Sequence, residues 1–182
     1  MEVTVTTGDI AKLPLDAIVV NLFEDVKTSG GATGAVDKAL GGAITKLIQD
    51  GEIKGKRHEM TLIHSLGKIK PERVLIAGLG KQQEMGLSRI REVSAESCRY
   101  LRKLGARKVG TIAHGTGAGG LDAGGAAQAI TEGAMLGTYT FRRHLTQESE
   151  ERDIDQLLIV NKDKKGLAAL ERGCRTGRIM AQ

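Results

Sequence analysis

The chain has 182 residues, which suggests one domain, long enough to bury a core. Hydrophobic residues make up 40% and charged residues 27%, but the only aromatics are Phe23, Tyr100, Tyr139 and Phe141, which argues against functions built on stacking platforms such as single-stranded nucleic-acid binding. A net charge of +5 is weak evidence for an anionic partner, and Cys98 and Cys174 make neither a metal-binding spacing nor a disulfide framework.

The first run, Val3–Thr6, reads as a strand and not as a signal peptide. No apolar run approaches 18 residues, so no membrane span is expected and the chain reads as cytoplasmic. Further strands are predicted at Ala17–Asn21, Met60–His64, Arg73–Ala77, Lys108–Ala113 and Gln156–Val160. The unbroken apolar run Ala17-Ile18-Val19-Val20 suits a sheet covered on both faces. Between the strands lie helical patterns. Val36, Leu40, Ala43, Ile44 and Leu47 share one face, and Ile90, Val93, Leu101 and Leu104 share another. A third pattern, Ala123–Phe141, places Ala123, Ala126, Ala127, Ile130, Ala134, Gly137 and Phe141 on one narrow arc. Glycine inside a helix costs about 1 kcal/mol against alanine, so Gly133 and Gly137 predict a close approach, with a sheet as the expected neighbour. The alternation predicts a three-layer α/β/α domain with a mostly parallel, mixed sheet. Leu167, Leu170, Cys174 and Ile179 continue a helical pattern to Gln182, weakened by Gly173 and Gly177 and followed by no stop signal. The expected division is a domain over 1–163 and an onward-leading helix over 164–182.

Few residues invite chemistry. The histidines are His58, His64, His114 and His144. His58 and His64 would lie about 20 Å apart along a strand and cannot share a metal. No H-E-x-x-H or C-x-x-C pattern is present, so no metal site and no catalytic residue is expected. Glu24-Asp25, Glu150-Glu151 and Asp153 with Asp155 read as solvated charge, and Cys98 as a structural cysteine. Gly78-Leu79-Gly80-Lys81 is no P-loop, since Gln82 stands where Ser or Thr is required. Gly115 to Gly120 fits G-x-G-x-x-G between a strand and a helix, as a tight turn or an anion site. On the Ser88–Leu104 helix, Arg91, Arg99, Arg102 and Lys103 occupy one arc. That arc is either a solvated face or a contact for another subunit or, weakly, for duplex DNA phosphates.

Two stretches carry a resemblance. Arg73-Val74-Leu75-Ile76-Ala77-Gly78-Leu79-Gly80-Lys81 and Glu132-Gly133-Ala134-Met135-Leu136-Gly137-Thr138-Tyr139-Thr140-Phe141-Arg142-Arg143 resemble the N-terminal domain of the leucyl aminopeptidase family, the M17 cytosol aminopeptidases. The likeness covers essentially the whole chain. It implies a non-catalytic, architectural or regulatory domain with no cofactor of its own. It further implies a hexameric parent whose absent catalytic domain holds two divalent metals, zinc or manganese, with that domain and the sister subunits as partners and the last helix leading toward it.

Gly8-Asp9-Ile10, Asp16 to Asn21 and Gly30 to Asp37 are similar to macro domains, which bind ADP-ribose. The M17 N-terminal domain shares a macro-like fold, so both likenesses imply one architecture. The macro likeness implies that Asp9 meets adenine, Asn21 meets the distal ribose, and Gly30, Gly31 and Gly117 wrap the diphosphate. Leu22-Phe23-Glu24 departs from the usual Ala-Ala-Asn, and Leu121 lies near where an aromatic residue is common. These departures imply a retained scaffold whose pocket is lost or changed.

Overall fold

The alternation of apolar runs and helical patterns builds a sheet with helices on both faces. The computed structural model describes residues 1–24, 26–117, 119–139, 153–162 and 164–182. Asp25, Phe141, Arg142, Arg143, His144, Glu150 and Glu151 lie outside the described residues. In chain order the elements are β1 (Glu2–Thr7), β2 (Ala17–Phe23), α1 (Gly31–Ala39), α2 (Ala43–Gln49), β3 (Met60–His64), β4 (Arg73–Gly80), α3 (Leu87–Lys103), β5 (Lys108–Ile112), α4 (Ala123–Thr138), β6 (Gln156–Asn161) and α5 (Leu167–Met180).

The strands form one six-stranded sheet in the order β1-β6-β5-β2-β4-β3. Neighbouring pairs are parallel, except that edge strand β3 runs antiparallel to β4. Alternate residues of β2 point to opposite faces. Ala17 and Val19 enter the core beneath α3, α4 and α5, while Ile18, Val20 and Leu22 enter the core beneath α1 and α2.

Two expectations are corrected. The face running from Val36 to Leu47 does not belong to one helix. Gly41 and Gly42 adopt left-handed φ angles of 75° and 83°, which end α1 and start α2 in a new direction. Buried Asp37 bridges the break. Its carboxylate accepts hydrogen bonds from the backbone N–H of Ile44 (2.7 Å) and Thr45 (3.2 Å), from the Ser29 hydroxyl (3.1 Å) and from the Thr45 hydroxyl. Burial pushes this carboxyl upward, but the hydrogen bonds from Thr45, Ile44 and Ser29 outweigh it and hold it below the ordinary aspartate value. Asp37→Ala is expected to cost about 2–3 kcal/mol, because four donors lose a charged acceptor at once. Urea unfolding at neutral pH measures this. Since the folded value is the lower one, the contribution is present above the ordinary aspartate pKa and fades as pH falls through the folded value.

The second correction concerns Gly133 and Gly137. Their close neighbour is a helix and not the sheet. A β-carbon on Gly133 would run into the carbonyl oxygen of Arg91, and one on Gly137 would lie 2.5 Å from the Ala95 β-carbon. The pairs advance together, so α3 and α4 run parallel. The two weak points of α5 have the same cause. A β-carbon on Gly173 would strike the carbonyl oxygen of Gly124, and one on Gly177 would lie 2.7 Å from that of Gln128. Helix α4 is thus gripped on both flanks by glycine seams, and α5 completes the layer above β1.

Candidate ligand crevice

Strands β2 and β5 are neighbours, yet the chain leaves them toward opposite faces, into α1 from β2 and into α4 from β5. Such a switch point opens a crevice at the C-terminal ends of the strands, where α/β sheets bind ligands. Asn21 stands on the β2 side and His114, two residues past β5, on the other.

These two side chains are bonded to each other. Asn21 Nδ2 lies 2.9 Å from His114 Nδ1, and His114 Nε2 lies 2.8 Å from the Thr111 hydroxyl. An amide nitrogen only donates, so Nδ1 is the acceptor and the ring proton sits on Nε2, donating to Thr111. Thr111 in turn donates to the carbonyl of Ile112 at 3.2 Å. The imidazole is 1% exposed, and burial pushes its pKa down to about 4, so it is neutral near pH 7. The backbone of Asn21 is also engaged, its carbonyl accepting from the Thr33 hydroxyl of α1 at 2.8 Å.

The structure puts the other macro-type residues along the same edge of the sheet. Asp9 is exposed just beyond β1, where its carboxylate accepts from the N–H of Ala11 at 3.0 Å and pairs with Lys12 at 3.6 Å. Strands β6 and β5 separate β1 from β2, a span of about 14 Å at the usual strand spacing. Gly30 and Gly31 are exposed at the start of α1. Gly117 is exposed in a loop closed by Leu121 N–H donating to the Gly115 carbonyl at 3.0 Å. The N-terminus of α4, which the glycine pattern marks as a candidate anion site, is already taken. The Asp122 carboxylate accepts from the N–H groups of Gly124 and Gly125, both at 2.9 Å. Glu24 is exposed at the end of β2.

The cationic arc of α3 is divided. Arg91 pairs with the buried carboxylate of Glu132, which also accepts from Gln128 at 2.7 Å. Burial raises that carboxyl, but Gln128 and Arg91 outweigh it and hold it below the ordinary glutamate value. Arg102 Nη1 donates to the Thr138 carbonyl at 3.0 Å. Those two arginines fasten α3 to α4, while Arg99 and Lys103 stay exposed. Cys98 is buried, and desolvation pushes its thiol up to about 12, as suits a structural residue. Among the described residues no three His, Cys, Asp or Glu side chains gather to hold a metal ion.

A profile of the cytosol aminopeptidase family, N-terminal domain, matches residues 19–148. The chain belongs to this family. The probable cytosol aminopeptidase of Alkaliphilus metalliredigens is 32% identical to this N-terminal domain across all of it, and the domain spans 36% of that relative. A tomato leucine aminopeptidase mutant shares the fold at a TM-score of 0.73 and 15% identity, over 97% of this domain and 36% of that chain. A Trypanosoma brucei macrodomain solved with ADP-ribose superposes at a TM-score of 0.71 and 18% identity, over 93% of this domain and 68% of that chain. The macrodomain likeness is one of fold alone. No helix among the described residues of this aminopeptidase domain is long and apolar enough to cross a membrane.

The expected macro residues thus lie on one edge of the sheet, with Asn21 bonded to His114 and Asp9 to Ala11 and Lys12. Sequence reasoning missed His114, Thr111 and Asp122 as parts of this edge. Asp122, just before a helix that opens with Gly124-Gly125, was detectable as an N-cap. His114 was not, because its partner lies 93 residues away.

Proposed function

We propose that this domain is an architectural, non-catalytic part of a metallo-aminopeptidase that releases N-terminal amino acids from peptides in the cytoplasm. Its catalysis would rest on two divalent metals, zinc or manganese, held by residues outside this chain. Its hexamer would join sister subunits around those catalytic domains, and the stretch 164–182 would both complete the helical layer and carry the chain onward. The carrying observation is the match of the whole chain to little more than a third of a cytosol aminopeptidase. The test is an assay of the purified domain on leucyl-p-nitroanilide with added Mn²⁺ or Zn²⁺. No turnover above buffer is expected, and metal-dependent turnover that stays with the protein through successive columns would reject the reading.

Within this reading the macro-type crevice is a retained scaffold that does not take ADP-ribose. The supporting observation is the bond between Asn21 and His114, which takes one N–H of the amide and fixes its orientation. The carboxylates of Asp122 and Glu24 at the same edge add unfavourable charge against a diphosphate.

A further inference from the structure

We infer that His114 keeps the crevice shut to ribose-bearing ligands by serving as an internal hydrogen-bond partner for Asn21. The inference rests on the closed-scaffold reading above and names the residue responsible.

Asn21 is half-buried where β2 meets the switch point, so its amide is placed to read a ligand hydroxyl. One N–H of that amide is taken by His114 Nδ1, and the bond fixes which way the amide faces. The ring cannot turn away, because Thr111 fixes its far nitrogen and Thr111 is itself 3% exposed. A ligand that needed this N–H, or that needed the amide turned about its Cβ–Cγ bond, would strand Nδ1 as a buried acceptor. Losing such a partner costs affinity on the order of tenfold to a hundredfold. Protonating the ring is no escape, since it would bring a buried charge and set an Nδ1–H against the N–H that Asn21 donates. The contact is therefore a lock made of two neutral groups, and it closes without any lid.

The experiment has two parts. In the wild-type domain, the ¹⁵N-resolved side-chain amide of Asn21 is expected to be shifted and slow to exchange with solvent. An Asn21 amide that exchanges like an exposed asparagine would overturn the inference with no variant needed. Calorimetric titration with ADP-ribose then compares wild type, Asn21→Ala, His114→Phe, and His114→Phe combined with Asn21→Ala. Phenylalanine keeps a planar ring, somewhat larger than imidazole, and removes the acceptor. We expect no measurable wild-type binding, at least a tenfold gain in His114→Phe, and loss of that gain in the double variant. A folded His114→Phe domain that binds no better than wild type overturns the inference and leaves the closed-scaffold reading standing. Wild-type binding at low micromolar Kd that Asn21→Ala abolishes overturns both. Should His114→Phe fail to fold, Thr111→Val removes the far-side anchor of the ring, and the same tenfold criterion applies to it.

Discussion

Acidification from pH 6.5 to pH 4 is expected to cost the domain about 3 kcal/mol through His114 alone. The ring is buried, and burial pushes its pKa from the ordinary 6.5 down to about 4. The unfolded chain therefore binds the proton more readily than the folded one, and stability rises with pH across that window. The contribution is complete above pH 6.5, falls by about 1.4 kcal/mol for each pH unit below it, and is fully lost near pH 4. Urea midpoints taken at half-unit steps of pH measure this. Carboxylates titrate at the lower end of the same window, so the decisive quantity is the difference between wild type and His114→Gln. Glutamine retains polar partners for Asn21 and Thr111 but does not titrate. Parallel pH curves for the two proteins would reject the assignment.

Gly173→Ala and Gly133→Ala are each expected to destabilise the domain by about 2–3 kcal/mol, although alanine is the better helix former by about 1 kcal/mol. The added methyl meets backbone carbonyl oxygens, that of Gly124 in one case and that of Arg91 in the other. A carbonyl already committed to its own helix cannot rotate aside, so a whole helix must shift. For a domain of this size the loss lowers Tm by roughly 5–10 °C. Gly86→Ala is the control, since nothing lies within 4 Å of a β-carbon added there and its φ of −162° is open to any residue. It is expected to stay within about 0.5 kcal/mol of wild type. If Gly173→Ala raised Tm, intrinsic propensity would outweigh packing and the seams would have no structural role.

The strands were legible because each is a short apolar run with its own boundaries. Met60–His64 is found at its expected limits, while β2 and β4 run two and three residues further, to Phe23 and Gly80. The break between α1 and α2 was harder to read, because helical periodicity continues through it and Val36, Leu40 and Ile44 all enter one core. Gly41-Gly42 was the local signal, and only the conformation shows both in the left-handed region. The glycines of α4 announced a close approach but not its partner. Neighbouring helices meet according to sheet order, which a sequence pattern does not contain. The crevice divided in the same way. Its glycine loops and Asn21 stand out in the sequence, whereas the pairing of Asn21 with His114 depends on β2 lying beside β5.

The glycine seams bear on how this domain would behave as a building block. Helices separated by long side chains keep residual rotamer freedom that must be frozen when a neighbour docks, at about 0.5–1.5 kcal/mol for each side chain ordered. Here α3, α4 and α5 come backbone to backbone at Gly133, Gly137, Gly173 and Gly177, and the long side chains between α3 and α4, Arg91 and Arg102, are already bonded across the seam. Along these seams the helical layer is ordered before any contact is made. A subunit or domain settling on its outer surface would spend its binding energy on the contact itself and little on ordering what lies beneath.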